Sequence, residues 1–267
     1  MSNHKPSGTR EWAKKTWDIA TGCPHDCFYC YSKDREVRRF HRVKKGEWKN
    51  LKLRPHAVGK RWRKTEGRIM FPANHDIVPE IIDECVLTIR EMVKSWDRVI
   101  IVTKPHLDCV TRLCTEFEKD KDKILFRFTI GSLHDDVLKF WEPGAPNFEE
   151  RWASLKWAHG HGFRTSISSE PFLDEDIRQL FKILEPWVTD TIWIGPMNHM
   201  EERVDKEERL RWSDVHWDYW NRVKNSQTKE RIQKLYDDMK AEKKVRWKNA
   251  IKEMLGLDIP DEIGLDI

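Results

Sequence analysis

The fold class is decided by residues 81–130, which read IIDECVLTIREMVKSWDRVIIVTKPHLDCVTRLCTEFEKDKDKILFRFTI. Two short apolar runs in this stretch, Arg98–Thr103 and Ile124–Ile130, have the length and content of buried strands. Each run follows a segment, residues 81–93 and 107–117, whose apolar side chains recur every three or four positions. That recurrence is the period of an amphipathic helix. Strands and helices in this order predict parallel strands joined by helical crossovers.

The same alternation extends outward in both directions along the chain. Helical periods also cover residues 148–158 and 177–184. Six apolar runs are the candidate strands: Thr16–Ala20, Arg68–Phe71, Arg98–Thr103, Ile124–Ile130, Phe163–Ser169 and Thr191–Gly195. Six such units predict an α/β fold, either a partial barrel or an open doubly wound sheet. In these folds the chemistry collects in the loops after the carboxyl ends of the strands.

The composition favours a folded protein without a membrane span. The chain has 267 residues, of which 39% are hydrophobic and 35% are charged. Its 14 Trp, 11 Phe and 4 Tyr residues can build a core, so disorder is not expected. The longest aliphatic run, Val99–Val102, is far shorter than the roughly 20 residues that cross a bilayer. Residues 1–15 are polar, so we expect no signal peptide, a cytoplasmic location and reduced cysteines.

The most specific motif follows the first candidate strand and reads GCPHDCFYCY over residues 22–31. Its three cysteines, Cys23, Cys27 and Cys30, have the spacing C-x3-C-x2-C. A chain with this many cysteines would contain the spacing by chance only about 0.003 times. Three thiolates on one loop can hold three corners of a [4Fe–4S] cluster and leave the fourth iron open to another ligand.

A zinc site is the alternative interpretation of this motif, with His25 as a fourth ligand. Zinc motifs usually pair two cysteine dyads across a spacer, and the sequence contains no second dyad. The remaining cysteines, Cys85, Cys109 and Cys114, fall on apolar helix faces, where we expect them to pack as small hydrophobic residues. The motif therefore favours an iron–sulfur cluster over zinc.

Positive charge is concentrated in residues 33–68. This segment contains 15 Lys and Arg against 4 Asp and Glu, whereas the whole chain has a net charge of +4. Such asymmetry is typical of a segment that faces a polyanion, and Trp48 and Trp62 could stack on nucleic-acid bases. The segment is expected to form a cationic lip and not a helix with a buried face. The alternatives are a solvated insertion and a docking surface for an acidic electron donor.

Further motifs lie beyond the cysteines: Val102-Thr103-Lys104, Trp141-Glu142-Pro143-Gly144-Ala145-Pro146 and Glu149-Glu150-Arg151. With the cysteine loop, they make about residues 14–200 resemble the radical S-adenosylmethionine superfamily, and within it the branch that includes spore photoproduct lyase. The resemblance implies a partial (β/α)6 TIM-like barrel in residues 1–200, with a cluster loop at 22–31 and a basic insertion at 33–68. Residues 201–267 are charged and helical in period, and we expect a C-terminal helical extension there.

The resemblance also implies cofactors and a reaction. Cys23, Cys27 and Cys30 would hold a [4Fe–4S] cluster whose open iron binds S-adenosylmethionine, and a partner such as flavodoxin or ferredoxin would reduce it. One electron would then cleave S-adenosylmethionine to a 5′-deoxyadenosyl radical, which abstracts a hydrogen atom from the substrate. Nucleic acid is a candidate substrate, since spore photoproduct lyase repairs a thymine dimer in DNA. That lyase donates a hydrogen atom from a cysteine outside the cluster motif.

Four residues are expected, through the resemblance, to contact the methionine and adenine parts of the cofactor. Tyr29 precedes the last cysteine and would stack on the adenine. Many family members carry Gly-Gly-Glu after the second strand to hold the cofactor's amino group, and this chain has Asn74 or Asp76 available there. Lys104 ends the third candidate strand, where a cation would neutralise the cofactor's carboxylate.

Two more polar residues end later strands. Ser132 follows the fourth candidate strand and Glu170 the fifth, and we expect them to bind ribose hydroxyls, the sulfonium charge or polar groups of the substrate. A carboxylate at the end of an apolar strand is costly unless it is paired, which favours a functional role for Glu170.

A protein of a different class would also account for several of these features. It would be a non-catalytic, zinc-stabilised basic module, rich in Trp, that binds nucleic acid. Metal analysis separates this class from the enzyme, because the cluster is brown and contains iron whereas a zinc protein is colourless.

Overall fold

The computed structural model describes residues 5–266 and centres on a sheet of seven strands, all of which are parallel to their neighbours. In spatial order the strands are β1 (Lys15–Thr16), β4 (Thr65–Phe71), β5 (Trp96–Thr103), β6 (Ile124–Thr129), β7 (Arg164–Ser169), β8 (Ile192–Ile194) and β9 (Val245–Trp247). A separate antiparallel pair contains β2 (Ala20–Thr21) and β3 (Lys52–Leu53). The parallel sheet curls into a half-barrel, which confirms the predicted fold class.

Helices connect most of the successive parallel strands and form the C-terminal extension. They are α1 (Tyr31–Lys33), α2 (Ile82–Ser95), α3 (Leu107–Glu116), α4 (Asp135–Trp141), α5 (Phe148–Gly160), α6 (Arg178–Leu184), α7 (Met200–Arg203), α8 (Lys206–Arg209), α9 (Asp214–Ser226), α10 (Lys229–Met239) and α11 (Asn249–Leu255). A π-helical segment, Asp34–Arg39, continues α1. Across residues 5–266, every helix is too short or too polar to span a bilayer.

Both faces of the sheet are buried, as is usual for parallel strands. In β6, every residue is buried, and successive side chains point to opposite faces. Phe126 and Phe128 pack in the main core with the helices, whereas Leu125 joins Trp12 and Trp193 in a second apolar cluster. The N-terminal segment, through Trp12, therefore packs on the concave face of the sheet, opposite the helices.

Two details of the sheet differ from the sequence predictions. The expectation of six strands and a purely helical extension is wrong for residues 245–247, which form β9 and pair with β8. This run is only three residues long and lies among charged residues, so it has no readable strand period. The first strand ends at Thr16 because Asp18 turns inward, where its carboxylate accepts hydrogen bonds from the N–H groups of Ala73 and Asn74 at 2.7 and 2.6 Å. The division of the chain at residue 200 stays a prediction.

A buried ion pair joins the sheet to the end of the described chain. Arg127 of β6 is fully buried, and its guanidinium donates to both oxygens of Asp266 at 2.8 and 3.0 Å. Arg68 lies 3.1 Å from the same carboxylate. Removing the charge of Asp266 would leave Arg127 as an uncompensated buried cation.

We therefore expect Asp266→Asn to lower the free energy of unfolding by about 3 kcal/mol, the usual cost of breaking a buried pair on one side. Asparagine keeps the size of the side chain and tolerates the left-handed backbone conformation of this position. Urea unfolding followed by Trp fluorescence measures the effect. Asp261→Asn, at an exposed position, is the control and should change little; equal effects of the two variants would contradict this account.

Candidate metal centre

The three motif cysteines lie together between β2 and the start of α1. Cys23 and Cys27 are buried, Cys30 is partly buried, and all three are free. Tight turns link them, since Asp26 N–H donates to the carbonyl of Cys23 at 3.2 Å and Cys30 N–H donates to that of Cys27 at 3.3 Å. Cys30 also caps α1, because its sulfur accepts a hydrogen bond from the N–H of Lys33 at 3.4 Å.

Close backbone contacts hold this cluster loop in place. Gly22 has a φ of +89°, and a Cβ there would lie 2.7 Å from the carbonyl oxygen of Trp48. Gly144 lies on the other side, where a Cβ would come within 2.1 Å of the carbonyl oxygen of Pro24. The N–H of Gly144 donates to the carbonyl of His25 at 3.1 Å. Glycine at position 144 therefore lets the segment after α4 contact the cluster loop backbone directly.

Burial makes the free thiols of the loop poor acids. It raises the pKa of Cys27 to about 12, against the opposing influence of the nearby Lys104 cation. Burial also raises the pKa values of Cys23 and Cys30. Thiolates bind iron, so these thiols need a bound cation to give up their protons. Three protected sulfurs on one loop with cations beside them fit three corners of an iron–sulfur cluster.

These sulfurs do not form a site for a single ion. Within residues 5–266, no group of three or more His, Cys, Asp or Glu residues is placed to hold one metal ion. A cubane presents its irons at separate corners, so thiolates that bind it need not meet at one point.

Glu142 is the buried anion beneath the cluster loop. Its side chain is 1% exposed, one oxygen lies 2.5 Å from the guanidinium of Arg151, and the Tyr29 hydroxyl donates to the other. Lys104 Nζ lies 3.9 Å from the same carboxylate. Burial would raise the pKa of Glu142, but the charges of Arg151 and Lys104 outweigh it and lower the pKa below its usual value. The carboxylate therefore stays charged and connects three elements of the site.

Tyr29 and Lys104 are brought together by this network. The Tyr29 ring is 9% exposed, and its centre lies 6.4 Å from that of Trp141 and 5.6 Å from Lys104 Nζ. Burial would lower the pKa of Lys104, but the negative charges that Cys27 carries as a thiolate and Glu142 as a carboxylate raise it. Lys104 is therefore a permanent cation beside the sulfurs. Contacts of Tyr29 and Lys104 with the cofactor stay predictions.

Asp76 is fully engaged by the protein. One of its oxygens lies 3.1 Å from His25 Nδ1 and 3.0 Å from the N–H of Lys104, which donates to it. The other accepts from the N–H of Ile77 at 2.8 Å and from the Thr103 hydroxyl. Asp76 thus ties the cluster loop, through His25, to the ends of β4 and β5.

Asn74 has a comparable position on the other side of the loop. Its side-chain amide donates to Asp18 at 2.5 Å, and its oxygen accepts from the hydroxyls of Tyr31 and Ser32 at 3.0 and 2.8 Å. Arg35 donates to the same oxygen at 3.2 Å. Binding of the cofactor's amino group by Asn74 or Asp76 stays a prediction, and it requires these side chains to share their hydrogen bonds.

Ser132 and Glu170 lie at neighbouring strand ends with different partners. The Ser132 hydroxyl donates to Asp174, and Ser132 is fully buried. Glu170 is paired, as its position requires: it lies 3.2 Å from Lys248 Nζ, which also lies 3.0 Å from Glu11. The side chain of Glu170 is 21% exposed, so part of it remains open at the rim.

Several residues of this site were not predicted from the sequence. Lys248 directly follows β9, the strand that was not predicted, and is 1% exposed. Glu142 and Arg151 lie in motifs that carry the resemblance, but no role in the site was predicted for them. Their charge was the signal available in the sequence: both lie close to apolar helical segments, and buried charges occur in pairs. His106, whose Nε2 lies 2.9 Å from that of His25, had no signal in the sequence.

Much of the charge of residues 33–68 is neutralised within the protein. The expectation of a non-helical lip is wrong at its start, because residues 31–39 are helical and bury Asp34 and Glu36. Asp34 pairs with Arg39 at 2.8 Å and also with Arg38. Lys45 pairs with Asp205 of the extension at 2.8 Å.

The aromatic residues of the segment also differ from expectation. Trp48 is 1% exposed and cannot stack on a base, and Trp62 packs at 5.5 Å against Trp17. Phe40 is 52% exposed instead, with the Arg42 guanidinium 4.6 Å from its ring centre.

Comparison with known proteins defines the class of this fold and site. A sequence model of the Radical SAM superfamily matches residues 17–206, and this range includes the cluster loop and five of the seven parallel strands, β4 to β8. The protein is a radical SAM enzyme, and the chain belongs to the Radical SAM superfamily. No curated protein sequence matches it.

Solved structures of spore photoproduct lyase share the fold. A cysteine-to-alanine mutant is 16% identical, with a TM-score of 0.51, over 92% of this chain and 79% of that chain. The same type of mutant with a dinucleoside spore photoproduct is also 16% identical over the same shares, with a TM-score of 0.52. At this identity the likeness concerns the fold alone.

The contact between Gly144 and the cluster loop gives a first test of the site. We expect Gly144→Ala to push the loop away from α4, because its Cβ would collide with the backbone at Pro24, and to lower the iron bound after reconstitution. Iron per chain and visible charge-transfer absorption measure the loss. Gly160→Ala, where nothing lies within 4 Å of the added Cβ, should bind iron like the wild type; equal iron in both variants would refute the contact.

The Glu142–Arg151 pair gives a second test, which does not need the cluster. Glu142→Gln and Arg151→Met should each lower the free energy of unfolding by about 3–5 kcal/mol, because each removes the nearest charged partner of a buried ion. The double variant should lose less than the sum by roughly 1 kcal/mol or more. Urea unfolding of the three variants without metal measures this coupling, and strictly additive losses would show that the two side chains act independently.

Proposed function

We propose that this protein cleaves S-adenosylmethionine reductively at a [4Fe–4S] cluster held by Cys23, Cys27 and Cys30. The observation that carries the proposal is the placement of three free, protected thiols on one loop at the rim of a radical SAM half-barrel. When bound, the reduced cluster supplies the electron that breaks the sulfonium–C5′ bond and yields the 5′-deoxyadenosyl radical.

The side chains around the loop would position S-adenosylmethionine. Lys104 would pair with its carboxylate, since this cation already lies beside the cysteines and Glu142. Tyr29 would contact the adenine from its place beside Lys104. Asn74 and Asp76 would accept hydrogen bonds from the amino group while they hold the loop.

Ser132 and Glu170 would act on the far side of the site. Both follow the carboxyl ends of strands, where this class of fold places its chemistry. The open part of the Glu170 carboxylate would meet a ribose hydroxyl, the sulfonium or a polar group of the substrate, while Lys248 holds its other side. Ser132 would bind the same kinds of group through its hydroxyl, which also donates a hydrogen bond to Asp174.

We propose nucleic acid as the substrate class, with residues 33–68 as the surface that binds it. The exposed cations Arg61, Arg63 and Lys64 and the exposed ring of Phe40 support this proposal. One structural neighbour, a mutant of spore photoproduct lyase, has been solved with a dinucleoside spore photoproduct, and this observation concerns that lyase. The same cationic surface would suit an acidic reductant such as flavodoxin or ferredoxin.

Hydrogen donation would differ from that of the lyase. The cysteines outside the cluster loop, Cys85, Cys109 and Cys114, are all buried in the main core under the helices. Burial raises their pKa values, to about 12 for Cys114. All three are buried on helices, so we do not propose a cysteine as hydrogen donor.

Anaerobic reconstitution with iron and sulfide, followed by reduction with S-adenosylmethionine present, tests the proposal. We expect 5′-deoxyadenosine to form, and Cys23→Ala, Cys27→Ala and Cys30→Ala each to lose the cluster and the product. Cys114→Ala should keep both, because that thiol packs in the core. A colourless protein with one zinc and no 5′-deoxyadenosine would instead favour the non-catalytic binding module.

The nucleic-acid proposal has its own test. Binding of labelled single- and double-stranded DNA and RNA should weaken steeply with salt, because each neutralised phosphate releases a counterion. Replacing Arg61, Arg63 and Lys64 by Glu should weaken it further while cluster content and substrate-free cleavage of S-adenosylmethionine stay unchanged.

A charge-matched control uses three exposed cations of the extension, Lys229, Arg231 and Lys243, each replaced by Glu. This variant should bind nucleic acid like the wild type if the basic segment is the binding surface. Absence of measurable affinity at low salt, or equal losses in the two triple variants, would exclude residues 33–68 as a nucleic-acid site.

A further inference from the structure

The C-terminal extension packs directly against the cluster loop. Val204, the residue after α7, is fully buried in an apolar cluster that also contains Cys27 and Tyr29. The carbonyl of Glu202 accepts a hydrogen bond from Arg38 in the helical segment that follows the loop. Arg203 lies between these two anchors and is therefore held at the edge of the candidate metal centre.

Arg203 is a half-buried cation without a partner of its own. Its Nε is buried without a hydrogen-bond partner, and the side chain makes no ion pair with any of residues 5–266. Three other arginines also have an unpartnered Nε, but each donates from its terminal nitrogen: Arg38, Arg54 and Arg209. Only Nε is buried, whereas the terminal nitrogens have no partner among residues 5–266 and are open to donate to a ligand.

The acidic residues near Arg203 already pair with other cations. Burial lowers the pKa of Arg203, and the nearby carboxylates of Asp34 and Glu170 oppose this effect. Asp34 pairs with Arg39 at 2.8 Å, and Glu170 lies 3.2 Å from Lys248. Arg203 thus lies near Asp34, which follows the cluster loop, and near Glu170, which follows β7, and a ligand bound in the space between these residues would meet its free nitrogens.

We propose that Arg203 binds an oxyanion of a ligand in this space, either the carboxylate of S-adenosylmethionine or a phosphate or carboxylate of the substrate. A guanidinium offers paired N–H donors that match two oxygens of either group. The inference rests on the proposed function for the identity of the ligand. It makes the C-terminal extension part of the binding site and not only a cover for it.

Arginine-specific labelling with phenylglyoxal, mapped by mass spectrometry, tests the contact without turnover. S-adenosylmethionine added to the reconstituted protein should slow labelling of Arg203 if its carboxylate is the ligand. Inorganic phosphate, or a short single-stranded oligonucleotide added to the protein saturated with S-adenosylmethionine, should slow it if a substrate anion is the ligand. Arg211, an exposed arginine nearby in sequence, should label at the same rate throughout.

Variants give the matching affinity measurement. Arg203→Gln should bind the protecting ligand roughly tenfold more weakly or worse, Arg203→Lys should recover part of the loss, and Arg211→Gln should bind normally. Iron content separates the two proposals, because a protein without a cluster fails the proposed function while phosphate protection of Arg203 can still be measured. The inference is overturned if neither ligand protects Arg203, if Arg211 is protected equally, or if Arg203→Gln keeps full affinity.

Discussion

The buried carboxylate of Glu142 connects the parts on which the site depends. It meets Arg151 from α5, Lys104 from the end of β5 and the Tyr29 hydroxyl from the cluster loop, and it is 1% exposed. In a setting of low dielectric an ion of this kind needs all of its partners, because each unpaired charge would cost several kcal/mol. The cluster loop is therefore fixed against the barrel by electrostatic contacts before any cofactor binds, and the sulfurs are held among cations.

Local patterns in the sequence predicted what local physics determines. The strands β4 to β8 are short apolar runs, and α2, α3, α5 and α6 have a helical period with one buried face, so their positions agree with the predictions within a few residues. The cysteine loop was predictable because three ligands close in sequence carry their spacing with them. Burial of Cys85, Cys109 and Cys114 followed from the apolar helix faces on which they lie.

Contacts between distant residues were not predictable in this way. The strand β9 has three residues, and its pairing with β8 shows no period; Lys248, which it carries to Glu170, was missed for the same reason. The charge of residues 33–68 was counted correctly, but a count does not show that Lys45 meets Asp205 or that Asp34 meets Arg39. A net charge describes a segment in isolation, whereas the folded protein brings the acids of the extension to it.

The central claim is that three cysteines hold a cluster with one iron open to S-adenosylmethionine. Electron paramagnetic resonance of the reconstituted, reduced protein tests it most directly, with spectra recorded alone, with S-adenosylmethionine and with adenosine, which lacks the chelating amino and carboxylate groups. The account predicts a [4Fe–4S]⁺ signal whose g values change on addition of S-adenosylmethionine and not of adenosine. A cluster signal that is identical in all three samples would contradict it.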